Sequence, residues 1–230
     1  MMLHYYEKED QVLLAVDCII FGFDGKKLKL LLVKRNFEPE KDKWSLIGGF
    51  LKKNENLDEA AARVLKALTG LKEVYLEQLH TYSNVNRDSG QRTVSVAYYA
   101  LIDIASHQFE GILLDTAKWF DVKLIPDLIF DHNQMVDGAI RRLRRRAQTK
   151  PIGFELLPNK FTMKQLQLLY ESILDKKLDK RNFTNKINTL DVLEKLNEKD
   201  MTESKKGSFL FKFDQIKYSN KVKEGFSFKI

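Results

Sequence analysis

The sequence predicts an α+β protein divided near residue 150, on three observations. A strongly apolar strand pair meets at Asp24-Gly25, a hairpin signal. Strands and single helices then follow one another up to Pro151. Beyond it, two amphipathic helices precede a short alternating strand. With 230 residues, 43% of them hydrophobic and 31% charged, the chain can bury a real core, which excludes a mainly disordered or collagen-like protein.

The first strands are read at residues 12–23 (VLLAVDCIIFGF) and 27–35 (KLKLLLVKR). A polar loop from Asn36 to Lys43 leads to WSLIGGF, a short apolar stretch ending in a glycine pair. Leu57, Ala61, Val64, Leu65 and Leu68 are spaced as one face of a helix that Gly70 ends. Further strands are expected at about 73–83, 92–104 and 117–121, and a helix from about 133 to 148. Residues 1–150 are therefore assigned to one domain and 151–230 to a second.

In the second domain Phe161-Thr162 reads as a helix start, with Leu166, Leu169, Tyr170, Ile173 and Leu174 on one face. Asp179 is placed to cap the next helix, with Phe183, Ile187, Leu190 and Leu193 inward. Its outward set is Lys180, Arg181, Asn182, Thr184, Asn185 and Lys186. Residues 204–208 (SKKGS) read as a tight turn before the strand 209–213. Helix, helix, then a basic-tipped hairpin is the layout of a winged helix. A recognition helix needs donors that reach base edges, and the outward set supplies them; Lys205, Lys206 and Ser208 at the hairpin tip suit phosphate contacts.

The net charge of +7 is unevenly placed. Residues 1–136 carry 17 Lys/Arg and 20 Asp/Glu, a net of −3, whereas 137–150 and 151–230 carry +5 each. A mildly acidic body with a basic end fits a regulator that contacts double-stranded DNA with one end. The run Arg141-Arg142-Leu143-Arg144-Arg145-Arg146 is expected on the helix joining the domains, and on the route of any signal between them. The longest apolar run, Val12 to Phe23, is broken by Asp17 and falls short of the roughly 20 residues that span a bilayer. No membrane partner is expected. The opening ten residues lack the order of a secretory signal, which points to the cytoplasm. Cys18 stands alone and can form no internal disulfide.

The segment GFLKKNENLDEAAARVLKALTGL sets Gly49, Glu55, Arg63, Gly70 and Leu71 at the separations of the Nudix box, and the first domain resembles Nudix domains. The resemblance implies a Nudix-like mixed sheet with flanking helices. Nudix chemistry uses helix glutamates to hold Mg²⁺ at a diphosphate. The matching positions here are Val64, Ala67 and Leu68, which cannot ligate a hard cation. The expectation is a sensor rather than an enzyme, with no catalytic residue, metal site or cofactor, and with Glu55 and Arg63 kept as a structural pair.

VDCIIFGFDGKKLKLLLVKR, WSLIGGF, RTVSVAYYALI, FDH and LPNKFTMKQLQLLYESILDKKLDKRNF extend the likeness over nearly the whole chain, which resembles the Nudix-related transcriptional regulators. Within them the reading nearest at hand is the arabinose-responsive AraR branch. This implies a homodimeric, sugar-responsive regulator with L-arabinose as effector, and an effector that weakens DNA binding. A free sugar needs aromatic surface and a few charged groups, and Tyr5, Asp17, Lys34, Asp42, Trp44 and Phe50 are the candidate ligand residues. The net −3 of the body favours a neutral sugar over a diphosphate. Three other readings stand beside this one: an ADP-ribose-sensing regulator of NAD metabolism, a Nudix-type pyrophosphatase with unusual metal ligands, and an interaction module in which the winged helix serves dimerisation.

Overall fold

The computed structural model describes residues 7–70, 74–104, 116–202 and 205–225. Strands β1 (Leu13–Phe23) and β2 (Leu28–Lys34) are joined by a turn in which Asp24 Oδ1 accepts the N–H groups of Lys26 and Lys27 at 2.9 and 2.7 Å. Gly25 there has φ +85°, a conformation that glycine adopts without a Cβ clash. β3 (Trp44–Ser45), β4 (Ile47–Phe50), helix α1 (Leu57–Thr69), β5 (Tyr75–Tyr82), β6 (Thr93–Asp103), β7 (Ala117–Asp121) and helix α2 (His132–Thr149) follow.

Among the described residues these strands form a seven-stranded mixed sheet, in which β1 and β6 run parallel from Leu13↔Thr93 to Phe23↔Asp103. The two strands are buried on both faces, and their alternation divides the interior. Ile19, Phe21 and Phe23 of β1 join Ala97, Tyr99 and Leu101 of β6 in a core shared with α2. Val16, Cys18 and Ile20 join Val96, Tyr98 and Ala100 in a core shared with Ala60, Ala61, Val64 and Leu65 of α1. The sheet is thus sandwiched between two amphipathic helices, as the strand period of two and the helix period of 3.6 require.

The second half contains a single 3-10 turn (Phe154–Leu156), then β8 (Phe161–Thr162), α3 (Met163–Leu174), α4 (Lys180–Leu190), β9 (Leu193–Asp200), β10 (Ser208–Phe213) and α5 (Gln215–Lys223). β8, β10 and β9 pair antiparallel, in that order. Thr162 and Gln165 form a reciprocal capping box at the start of α3, and Asp179 accepts the Asn182 N–H at the start of α4. The fold is therefore a Nudix-like sheet with helices followed by a winged helix. The core shared with α2 continues through Leu143, Ala147, Ile152 and Leu156 into Leu166, Leu169, Ile173 and Phe183. A continuous apolar core couples the halves more firmly than a polar linker can.

Three differences from the expected elements have local causes. α4 stops at Leu190 because Asp191 takes the left-handed conformation (φ +48°), so Leu193 begins β9 rather than lining the helix. β9, LEKLNEKD, has no buried residue and hence no alternation to betray it. α5 is polar and has no fully buried residue, only Tyr218 packing on the core, so its sequence carries no continuous apolar face to read. Ser204, part of the expected turn, lies outside the described residues.

Candidate functional site

The box segment folds around an ion pair. Arg63 donates from Nε and Nη2 to the two carboxylate oxygens of Glu55 at 2.7 and 2.5 Å, and Nη2 also reaches the Phe50 carbonyl at 3.0 Å. The Arg63 hydrogen bonds hold the Glu55 carboxyl down at about 2. Asn56 and Glu59 cap α1 reciprocally, and Asp58 accepts the Tyr98 hydroxyl at 2.6 Å. Val64 is buried against the sheet and Ala67 faces solvent. The Leu68 side chain lies outside the described residues. These side chains do not fit a Mg²⁺ site, and among the described residues no group of three or more His, Cys, Asp or Glu is placed to hold a metal.

Beside the box a cleft of about 310 Å³ opens between β1, β2, β4 and the segment that leads into α2. Its floor is a buried charge network. Ser95 donates to Asp17 Oδ2 at 2.5 Å, with Arg87 Nη2 at 3.7 Å and His132 Nε2 at 3.8 Å from the same carboxylate. Arg87 in turn holds Asp131, the residue that precedes α2, with two hydrogen bonds of 3.0 and 2.7 Å. His132 Nδ1 accepts the Leu46 N–H at 3.1 Å, which places the ring proton of the neutral form on Nε2, facing Asp17. Gly48 is required beneath this network, since a Cβ there would sit 2.2 Å from Asp17 Oδ1. The mouth is aromatic: Phe37 and Phe50 are 57% and 54% exposed. The Arg35 guanidinium lies 3.8 Å over the Phe37 ring.

Burial lowers the pKa of His132, opposed by Asp17 and Asp131 and reinforced by Arg87 and Arg35. The unfolded chain therefore takes up this proton first, so the ring contributes stability that is complete above pH of about 6.5 and declines as the pH falls below it. His132→Gln is expected to flatten this acid-side decline, as read from urea midpoints at neutral and mildly acid pH. An unchanged slope would remove His132 as its source.

The cleft gathers some of the expected ligand residues and leaves others out. Asp17, Lys34 and Phe50 line it. Asp42 does not: it is an exposed turn residue with φ +64° whose N–H donates to the Arg35 carbonyl. Trp44 does not either; its ring packs edge-on to Phe120 at 4.8 Å, and the next residue, Ser45, faces the cleft instead. Tyr5 lies outside the described residues. Sequence reasoning missed Arg35, Phe37, Arg87, Phe130 and His132. The polar, glycine-containing stretch NVNRDSG between β5 and β6 was the available sign of a functional loop.

On the opposite half, Lys180, Arg181, Asn182, Asn185 and Lys186 of α4 are exposed and Thr184 is half-buried, above the buried Phe183, Ile187 and Leu190. Lys205, Lys206 and Ser208 are exposed at the tip of the β9–β10 hairpin. The arginines of α2 divide. Arg146 donates to the hydroxyls of Tyr75 and Tyr99 at 2.9 and 3.0 Å and pairs with Glu77, while Arg144 bonds the Ile173 carbonyl at 3.0 Å at the end of α3. Arg141 and Arg145 face solvent. No helix among the described residues is long and apolar enough to cross a membrane.

Comparison with known proteins agrees with this geometry. The NUDIX domain model matches residues 12–141, and the NrtR DNA-binding winged helix domain model matches 153–213. The chain is 33% identical over 217 residues to the ADPR responsive transcriptional repressor NtrR of Acinetobacter baylyi, covering 92% of this chain and 86% of that one. It superposes on Shewanella oneidensis NrtR complexed with a 27mer DNA with a TM-score of 0.80, at 29% identity, over 94% and 97% of the two chains. The NUDIX domain of Shewanella oneidensis NrtR complexed with ADP ribose matches at 33% identity and a TM-score of 0.53, over 62% of this chain and 99% of that one. These findings overturn the expected sugar effector and the AraR branch: one relative is an ADPR responsive repressor and another is complexed with ADP ribose. The net charge of the body misled because it averages over the whole surface and says nothing of one cleft, where Lys34 and Arg35 stand at the mouth and Arg87 is paired with Asp17 and Asp131 in the floor.

Proposed function

The chain belongs to the NrtR family of Nudix-related, DNA-binding transcriptional regulators, and from that premise we propose that it is a repressor of NAD-metabolism genes whose cleft takes ADP-ribose. The observation that supports this reading is the pairing of exposed rings with cations at one mouth. Phe37 and Phe50 offer faces for a purine, and Lys34 and Arg35 offer charge to a diphosphate. Asp17 below them, with one oxygen held by Ser95, suits a ribose hydroxyl. The donor set of α1 does not fit Mg²⁺, which supports nucleotide binding without hydrolysis. The domains are 1–150 for sensing and 151–230 for DNA. Two copies meet a two-fold operator in the cytoplasm, as winged helices commonly do.

The test is a melting-temperature series with ADP-ribose, ADP and L-arabinose. A saturating effector at about 100 times its Kd adds about 2.7 kcal/mol to stability. ADP-ribose should raise the midpoint, arabinose should not, and AMP should not accumulate on incubation with Mg²⁺ or Mn²⁺. A flat response to ADP-ribose would remove the effector assignment, and steady AMP release would make the protein an enzyme. On the DNA side, Arg181→Ala should weaken operator binding by about 1–3 kcal/mol and relax base preference at one position. Unchanged affinity in a gel-shift titration would take Arg181 off the reading face.

A further inference from the structure

A second recess, of about 400 Å³, lies where the two halves meet. The β1–β2 turn and the end of β7 form one wall, and the C-terminal end of α3, with the turn that leads into α4, forms the other. Five lysines and three carboxylates line it. Three lysines are neutralised in place: Lys27 by Asp121 at 2.7 Å, Lys177 by Glu171 at 2.9 Å, and Lys123 by Asp175. Two remain. Lys26 on the sensor wall and Lys176 on the DNA-reading wall are exposed, and neither has an ion pair among the described residues. The walls are also tied together, since Ser172 Oγ donates to the Lys26 carbonyl at 3.2 Å. Lys176 stands three residues before Asp179, the cap of α4, so the recess adjoins the helix whose exposed face carries Lys180 and Arg181.

We propose that this recess seats a backbone phosphate of the bound duplex between Lys26 and Lys176, so that the sensor domain itself contacts DNA. The inference rests on the DNA-binding reading and extends it to a surface outside the winged helix. A phosphodiester carries one negative charge and meets two ammonium groups whose neighbours are already paired. Such a contact positions the protein without reading sequence. It also links the two walls, so DNA favours the docked arrangement of the β1–β2 turn on α3. A movement of that turn away from α3 would divide the seat and weaken DNA binding.

The experiment measures the affinity of the full chain for a mixed-sequence duplex between 50 and 200 mM salt. Each lysine that neutralises a phosphate contributes about one unit to the slope of log K against log salt. Lys26→Gln should reduce the slope by about one and the Lys26→Gln/Lys176→Gln pair by about two, with base preference and melting temperature unchanged. A slope equal to that of the unaltered chain in both variants overturns the assignment. So does millimolar orthophosphate that raises the melting temperature of the unaltered chain but not of the double variant while the slopes agree, because the recess then holds a free anion. If the unaltered chain shows no salt-dependent duplex binding, the DNA-binding reading falls first; strong binding with unchanged variant slopes defeats this inference alone.

Discussion

Arg87→Ala is expected to lower folding stability by about 3–5 kcal/mol, the range for removing one partner of a buried ion pair. The Arg87 side chain is 3% exposed and lies between two carboxylates, Asp131 at 2.7 Å and Asp17 at 3.7 Å. Alanine would leave both acids in a site from which water is largely excluded, with only Ser95 and the neutral His132 to satisfy Asp17. Asp131 would also lose the bonds that hold the residue preceding α2. Arg87→Lys should recover only part of the loss, because an ammonium cannot reproduce the two parallel bonds to Asp131. Urea unfolding measures both changes. A loss below about 1 kcal/mol, the level of an exposed pair, would show that Arg87 is not the keystone of the cleft floor.

ADP-ribose is expected to weaken operator binding by about 5- to 150-fold, the usual span of coupling between two sites. Reciprocity then demands that operator DNA weaken ADP-ribose binding by the same factor. The structure supplies a physical link. The N-terminal end of α2 is bonded to the cleft floor through Asp131 and His132. Toward its other end, one helix about 27 Å long, Arg144 holds the Ile173 carbonyl of α3, and Arg146 holds Tyr75 and Tyr99 of the sheet. A shift of α2 on occupation of the cleft would therefore reposition α3 and α4. Arg144→Ala should leave both separate affinities nearly intact and reduce the coupling between them. Titrating each ligand in the presence and absence of the other measures this. Equal affinities in the unaltered chain would end the effector model, and full coupling in Arg144→Ala would clear that contact of a role.

Much of the site was half legible. Asp17 could be singled out because an acid inside an apolar strand must find a partner. The partners could not, because Ser95, Arg87 and His132 lie 70 to 115 residues away and meet it only through the parallel register Asp17↔Ala97 and the packing of α2. Trp44 looked like a ligand residue because it is aromatic and stands at the entrance to the box. Its place was decided by which strand position turned toward Phe120, a matter of one residue in register. The effector class failed for a related reason: a net charge carries no address.

By itself the sequence determined the features that repeat or terminate within a few residues. These were the strand pair around Asp24-Gly25, the caps at Thr162 and Asp179, the outward polar face of α4, and the loss of carboxylates at Val64, Ala67 and Leu68 that separates this box from a metal site. Tertiary structure alone decided the cleft and the contacts that run from it through α2 to the winged helix. It set Arg87 between Asp17 and Asp131, continued one apolar core from the sheet into the winged helix, and brought Lys26 opposite Lys176. Periodicity and capping are local, acting over three or four neighbours. Charge pairing and cleft shape depend on segments far apart in the chain, and only the folded register fixes the distances that set their strength.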